Sequence, residues 1–228
     1  MKLDRHGRAK VLTPAEIRLL FNQGLTTDRD RALFGVCMFT ACRINEACTL
    51  QVIDVYDTRA RVRPYLIIRK GSTKGKLATR TIPVIVDLRA LLSSYSLVKG
   101  QNYLFPGRYD NSHINPDSAA RILRKACRLV GLEGVSTHSF RRTALTNMSN
   151  AGIGLRIIQE ISGHRDLSQL QKYLEVAEAQ ILGAVASLSM LSPVEYEVGK
   201  YVLDDLPKNE KQQQVIKRKP LRQPRKQR

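Results

Sequence analysis

The sequence predicts a mainly α-helical fold with a small antiparallel β-hairpin, an α+β architecture. Three observations predict it: a capped helix start near residue 13, two strand-like runs joined by a Gly- and Lys-rich turn, and apolar runs at helical spacing that end in glycine. With 228 residues, of which 43% are hydrophobic, the chain is long enough to bury a real core. We predict one domain over residues 1–190, followed by a linker and basic tail over 191–228.

The first helix has a recognisable start. Thr13 is placed to cap it, Pro14 suits the first turn, and Glu16 is placed to close a capping box. Gly24 is the predicted end. Two further helices are predicted at 28–40 and 45–50.

The pattern then changes to that of a hairpin. Residues 65–68 and 79–84 resemble two strands, and the turn between them, 70–76, is rich in Gly and Lys. Helices are predicted again at 86–98 and from Asn115 to Gly131.

The C-terminal third predicts short helices. Two of them, 139–151 and 155–162, are each followed by a glycine, and two more are predicted at 167–174 and 176–190. Residues 208–228 then hold nine Lys or Arg against the single Glu210, a composition that favours disorder in the free protein.

The charge balance points to a polyanionic partner. The chain has 38 Lys and Arg against 20 Asp and Glu, a formal net charge of +18. Because nucleic acid releases counterions when it binds a basic surface, such a balance favours a nucleic-acid partner. Other basic proteins share this charge, so it does not identify the partner by itself.

The cysteines and histidines predict neither disulfides nor a metal centre. The four cysteines lack a paired short spacing and no signal peptide precedes them, so we expect reduced thiols and a cytoplasmic setting. The four histidines lack a Cys or His partner at ligand spacing, so no metal site is expected. No run of about 18 apolar residues exists, so no membrane span is expected.

The most informative stretch joins His138, Arg141, His164 and Tyr173. His138 and Arg141 are three residues apart on a predicted helix, which sets their Cβ atoms about 5–6 Å apart on one face. A guanidinium matches two phosphate oxygens and keeps its charge, so this face suits an anionic phosphodiester. Arg142 is either a further phosphate contact or a plain surface residue.

Arg43 and Glu46 form a second candidate pair. Arg43 lies between an apolar helix and the next helix start, and Glu46 is placed three residues later to fix its geometry. The alternative is an ordinary surface pair at helical spacing, worth a few tenths of a kcal/mol.

Tyr173 is the candidate nucleophile. A phenol with a reference pKa of about 10 is mostly protonated at neutral pH, so it needs cations around the phosphate and a proton acceptor, for which His164 is one candidate. Lys74, on the predicted hairpin turn, is placed to protonate the departing oxygen. Lys70 and Lys76 are rivals for that role.

Together these residues resemble the catalytic domain of the tyrosine site-specific recombinases, the phage integrase family. The resemblance rests on Arg43 and Glu46, a hairpin Lys, His138-x-x-Arg141, Gly163-His164, and a tyrosine nine residues after that histidine. It covers roughly residues 10 to 190, and all six catalytic positions are filled in order.

The resemblance implies the tyrosine recombinase catalytic-domain fold and a site-specific recombinase of double-stranded DNA. Tyr173 would form a 3′-phosphotyrosyl link and release a 5′-hydroxyl, without metal, ATP or another cofactor, in integration, excision or inversion. Arg43 and Arg141 would clamp the phosphate, His138 and His164 would exchange protons or bond it, and Lys74 would be the general acid. Alternatives are relaxation of DNA like a type IB topoisomerase, and a non-catalytic DNA-binding regulator derived from a recombinase.

The resemblance also implies partners. Family members work as tetramers, or as dimers on DNA, and contact one another through the helix after the tyrosine. Residues 176–190 are the candidate for that helix. An accessory DNA-bending or directionality factor is a further partner that the resemblance implies. Between Lys74 and Pro83 the hairpin is slightly longer than the common spacing. The chain begins where the family's catalytic domain begins, so we expect the preceding DNA-clamping domain to be absent. The predicted DNA contacts outside the catalytic set are Lys70, Lys76, Arg142, Lys217, Arg218 and Lys219.

Overall fold

The structure is a computed structural model that describes residues 9–69, 71, 79–95, 102–108, 112–171, 178–186 and 188. Within these residues, helices accompany one two-stranded antiparallel sheet, which confirms the predicted mainly helical α+β class. The chain divides into two compact units, residues 1–184 and 185–228. Among the described residues, every helix is too short or too polar to cross a bilayer.

The elements follow the predicted order along the chain. The strands are β1 (Tyr65–Ile68) and β2 (Arg80–Pro83). The helices are α1 (Pro14–Leu19), α2 (Asp28–Phe39), α3 (Ile44–Cys48), α4 (Val86–Ser94), α5 (Pro116–Leu129), α6 (Thr137–Asn150), α7 (Leu155–Ser162), α8 (Leu167–Gln171) and α9 (Glu178–Ala186).

The predicted capping box opens α1. The Thr13 hydroxyl accepts a hydrogen bond from the Glu16 N–H at 3.2 Å, and the Glu16 carboxylate accepts one from the Thr13 N–H at 2.9 Å. Each side chain therefore satisfies a backbone donor that the helix itself cannot. The helix continues as one π-helical turn, Leu20–Gly24, so it ends at the predicted glycine.

The core fixes α6 from two sides. Phe140 stacks on Phe34 of α2 with ring centroids 5.3 Å apart and belongs to the main apolar cluster. A second, smaller cluster lies near the other end of the helix and comprises Ala41, Ala144, Leu145, Ile158 and Leu170. Because α6 is packed by both clusters, the polar side chains between them are held on a rigid element.

The hairpin carries one inward-facing cation. In the register, Leu66 faces Ile82 and Ile68 faces Arg80, and the alternation buries one face of each strand. Arg80 is on that buried face together with Ile82. Strand β2 contacts α7, so Arg80 is directed toward the end of that helix.

Several boundaries differ from the sequence prediction, among them the start of α6 and the end of α4. Helix α6 begins at Thr137, two residues before the predicted start, because the Ser139 hydroxyl accepts a hydrogen bond from the Ser136 N–H at 3.0 Å and Ser136 takes the capping position. Helix α4 ends at Ser94 rather than at residue 98. The predicted hairpin turn, the ends of the last two predicted helices and the tail over 191–228 lie outside the described residues.

Candidate active site

The Arg43–Glu46 pair lies at the start of α3. The Arg43 N–H donates to Glu46 Oε2 at 2.8 Å, and Arg43 Nη1 donates to Glu46 Oε1 at 3.3 Å. The Glu46 side chain is 1% exposed, whereas that of Arg43 is 26% exposed. The surface-pair alternative is therefore wrong, because a surface pair would leave the carboxylate in water.

Arg80 is a second cation on the same carboxylate. Its Nη2 donates to Glu46 Oε2 at 3.0 Å, and its side chain is 6% exposed. One buried carboxylate therefore holds two guanidiniums, one from the loop before α3 and one from β2. The sequence analysis missed Arg80 as a site residue, although its inward position in an alternating strand is a signal that could have identified it.

Arg141 is the most deeply buried of these guanidiniums, with 1% of the residue exposed. Its Nη1 donates to the carbonyl oxygen of Ala41 at 2.6 Å. Ala41 has a φ of 51°, and this left-handed turn directs its carbonyl toward α6. Burial and the positive charge of Arg43 lower the pKa of Arg141 to about 10, so the guanidinium stays charged at neutral pH.

His164 lies against Arg141. Arg141 Nη2 is 3.0 Å from His164 Nε2, and the Ser162 hydroxyl is 2.7 Å from His164 Nδ1. The Gln159 side-chain amide donates to the His164 carbonyl at 3.1 Å. Gly163, with a φ of 64°, ends α7 in the left-handed conformation that glycine adopts without strain, as its position predicted.

The imidazole of His164 is neutral at physiological pH. Burial lowers its pKa to about 3, assisted by the positive charges of Arg141, Arg43 and Arg80. A guanidinium only donates, so the contact with Arg141 requires a lone pair on His164. Arg141 Nη2 is also 3.2 Å from His164 Nδ1. The shorter contact fits a tautomer in which Nε2 accepts from Arg141 and Nδ1–H donates to Ser162, whose hydroxyl donates in turn to the Gln159 carbonyl at 3.3 Å.

His138 and Arg142 have opposite environments on α6. His138 is exposed in the first turn, three residues before Arg141 and so on the same side of the helix. Arg142 is 6% exposed, and its Nη1 donates to the Ala9 carbonyl at 2.8 Å. This buried position corrects the expectation of a DNA-facing Arg142, because its guanidinium anchors the N-terminal segment instead.

The remaining predicted site residues lie outside the described residues. They are Tyr173, Lys70, Lys74, Lys76, Lys217, Arg218 and Lys219. The structure therefore brings together Arg43, Glu46, Arg141 and His164 from the sequence prediction, adds Arg80, and leaves the roles of the others as predictions.

A basic cleft lies beside Arg80 and His164. The cleft has a volume of about 470 Å³, and its lining includes Arg80, His164, Arg156 and Arg165. The cluster of Arg43, Arg80, Arg141 and Glu46 holds three guanidiniums and one carboxylate, so it carries a net positive charge beside a neutral imidazole. Such a site suits an anion with several oxygens, since guanidiniums bind phosphate through paired hydrogen bonds. Within the described part of the chain, no three His, Cys, Asp or Glu side chains converge as ligands for a metal ion.

The chain matches a known family and known proteins. Residues 10–180 match the model of the phage integrase family. A tyrosine recombinase of Pseudothermotoga lettingae is 29% identical over 181 residues, covering 78% of this chain and 60% of the relative. The tyrosine recombinase XerA of Pyrococcus furiosus is 31% identical over 188 residues, covering 80% and 63%. The chain thus spans about three fifths of the length of these two relatives.

Solved structures share the fold. The crystal structure of a XerA recombinase aligns with a TM-score of 0.64 and 22% identity, covering 79% of this chain and 66% of that one. The XerH site-specific recombinase bound to a palindromic difH substrate, in a post-cleavage complex, aligns with a TM-score of 0.61 and 19% identity, covering 80% and 54%. At this identity the likeness establishes the fold alone.

Proposed function

Because residues 10–180 show that the chain belongs to the phage integrase family, we propose that it cleaves and rejoins double-stranded DNA as a site-specific tyrosine recombinase. One observation carries this proposal. Arg43 and Arg141 lie in one cationic cluster with His164, although they are almost a hundred residues apart in the chain. Arg43 is held by Glu46, and Arg141 is held by the Ala41 carbonyl and by His164. A scissile phosphate is the ligand that fits this cluster.

Arg43 and Arg141 are the proposed clamp on the two non-bridging phosphate oxygens. Arg141 is buried and oriented by Ala41 and His164, whereas Arg43 is partly exposed and so accessible to an incoming strand. Both keep their charge and need no reorganisation, which is the condition for stabilising charge that develops at phosphorus. His164 holds the Arg141 fork, and His138 is proposed to bond the phosphate from the exposed first turn of α6.

Tyr173 is the proposed nucleophile. Its Oη attacks phosphorus, the Oη–P bond forms and the P–O5′ bond breaks, which leaves a 3′-phosphotyrosyl link and a free 5′-hydroxyl. The phenol loses its proton to a neighbouring base, and Lys74 is proposed to give a proton to the leaving O5′, with Lys70 and Lys76 as rivals. The link keeps the free energy of the broken phosphodiester, so a 5′-hydroxyl from another strand reverses it without ATP.

The wider assembly is also a proposal. The solved recombinase of similar fold is bound to its substrate, and this chain has a formal net charge of +18, which supports double-stranded DNA as the partner. We propose that protomers pair on DNA as dimers or a tetramer through the helix that follows Tyr173, α9. Recruitment of a DNA-bending or directionality factor, and DNA contacts by Lys217, Arg218 and Lys219, belong to the same proposal.

Covalent trapping tests this function. The probe is a library of nicked duplexes with a randomised core, in which cleavage releases a short strand and prevents rejoining. Wild-type protein is expected to form a protein–DNA band that resists denaturant, and Tyr173→Phe is expected to lose it. Tyr201→Phe is the matched control and is expected to retain it.

The opposite results are equally informative. Specific DNA binding with no covalent band from wild-type protein would leave a DNA-binding regulator as the function. A band that persists in Tyr173→Phe and disappears in Tyr201→Phe would move the nucleophile.

A further inference from the structure

We propose that Arg80 is a positioning residue of the DNA-cleavage site. Through its contacts with Gly163 and Glu46, it connects the turn that carries His164 to the loop that carries Arg43. This inference rests on the proposed function. It concerns a residue outside the predicted catalytic set, on the strand that follows the hairpin turn.

The first observation is how little of its hydrogen-bonding capacity Arg80 uses. Nη2 donates to Glu46, but Nε and Nη1 are buried and have no hydrogen-bond partner among the described residues. A buried donor without a partner destabilises the folded state. If Arg80 served only to stabilise the fold, an apolar side chain of similar volume would stabilise it as well or better. We therefore assign Arg80 a role in the adjoining site.

The second observation is the contact with Gly163. A Cβ atom added at Gly163 would lie 1.9 Å from Arg80 Nη1 and 2.6 Å from Arg80 Cζ. The guanidinium therefore lies in close contact with the residue that precedes His164. Only glycine leaves room for it, and the left-handed φ of 64° favours glycine for the same residue.

The third observation is the double use of Glu46. Its carboxylate accepts from Arg80 and from Arg43, so the β2 strand and the loop before α3 share one buried anchor. Arg80 thus bridges two groups of the proposed site: Arg43 through Glu46 and His164 through Gly163. Its Nη2 is occupied by Glu46 and its Nη1 is packed against Gly163, so we assign it a role that acts through these neighbours.

Arg80 also affects the charge state of the site. Its positive charge contributes to the lowered pKa of both His164 and Arg141. Removing the cation is expected to make His164 easier to protonate. A protonated His164 has no lone pair for Arg141, so the Arg141 fork would lose a contact that orients it.

The test compares Arg80→Met and Arg80→Lys with Arg89→Met as the matched control. Arg89 is a partly buried arginine of α4 whose Nη1 donates to the Val62 carbonyl at 2.8 Å, outside the site. Two quantities are measured for each folded variant: the NMR titration of the His164 imidazole, assigned with His164→Asn, and the rate of covalent trapping on nicked duplexes selected from the randomised library.

The expected results follow from the geometry. Arg80→Met slows trapping about 100-fold, since small misplacements of reacting groups cost that much, and Arg80→Lys slows it about 10-fold. In Arg80→Met the pKa of His164 rises, because a nearby positive charge is removed, while in Arg80→Lys, which keeps the charge, it stays near the wild-type value. Arg89→Met matches wild type in both measurements.

Contrary results would overturn the proposal. A wild-type trapping rate in Arg80→Lys would remove the need for a planar group on Gly163. An unchanged His164 titration in folded Arg80→Met would show that the cation does not act on His164. If Arg80→Met fails to fold, the trapping rate of Arg80→Lys alone tests the proposal. If wild-type protein forms no covalent complex, the proposed function fails, and the titration still tests the contact of Arg80 with the His164 turn.

Discussion

Arg141 donates a hydrogen bond of 2.6 Å to the carbonyl oxygen of Ala41, one hundred residues earlier in the chain. The bond joins α6 to the turn that leads into Arg43. Because Ala41 is in a left-handed conformation, its carbonyl points at the guanidinium rather than continuing α2. The two arginines of the proposed phosphate clamp are therefore set relative to each other by the protein before any DNA is bound.

Arg141→Lys tests whether the guanidinium of Arg141, with its hydrogen bonds to Ala41 and His164, is required. A lysine ammonium has no planar pair of donors, so it cannot hold both the Ala41 carbonyl and His164 in the observed way. We expect covalent trapping to fall about 100-fold or more, and the free energy of unfolding to fall by about 1–3 kcal/mol. Arg121→Lys, on the exposed face of α5, is the control and should leave both unchanged. Trapping at the wild-type rate in Arg141→Lys would contradict the clamp.

Glu46→Gln tests the shared anchor. The amide has no charge for Arg43 and Arg80, and breaking a buried ion pair costs about 3–5 kcal/mol. We therefore expect a clear loss of unfolding free energy in chemical denaturation. Glu160→Gln removes the exposed partner of Arg156, a surface pair worth about 0–1 kcal/mol, and is the matched control. Equal effects of the two substitutions would argue against the buried anchor.

The lowered pKa of His164 predicts a pH dependence of stability. In the unfolded chain the imidazole titrates near 6.5, and in the folded protein near 3. Between these values the unfolded state binds the extra proton, so stability falls as pH falls, by about 1.4 kcal/mol per pH unit at most. The free energy of unfolding is measured by denaturation between pH 4 and 6. Its slope against pH should be smaller in His164→Asn than in wild type, by the amount that one bound proton contributes.

Arg89→Met, which leaves His164 and its neighbours in place, is the control for that titration. It should retain the wild-type slope. A slope in His164→Asn as steep as in wild type would mean that His164 is protonated in the folded protein.

Deletion of residues 208–228 tests the basic tail. The segment holds nine Lys or Arg, and each phosphate that it neutralises contributes about −0.9 to the slope of log affinity against log salt for duplex DNA. We expect weaker DNA binding and a shallower slope, measured by fluorescence anisotropy over a range of salt concentrations. Unchanged affinity and an unchanged slope would exclude a DNA-binding role for the tail.

Local features of the fold were predictable because their causes are local. The capping box of α1 and the glycine end of α7 depend on residues within a few positions of each other, and both occur where the sequence predicted them. The start of α6 lies two residues before the predicted position, because Ser136 caps the helix.

Features that depend on tertiary packing were not predictable in the same way. The pair Arg43 and Glu46 was visible in the sequence, but whether Glu46 is exposed depends on Arg80 from a distant strand. The residues next to Ala41 do not predict its left-handed conformation, since alanine rarely adopts it. This conformation occurs together with the hydrogen bond from Arg141, which is distant in the chain. Arg142 was expected on the surface, and its burial depends on the segment that contains Ala9.

The most direct test of the account is to identify the amino acid that carries the DNA. Trapped complexes formed on the nicked duplexes are digested with nuclease and trypsin, and the modified peptide is sequenced by mass spectrometry. The account predicts a nucleotide adduct on Tyr173, within the tryptic peptide that begins after Lys172. An adduct on Tyr196 or Tyr201, or on a serine or cysteine, would contradict it.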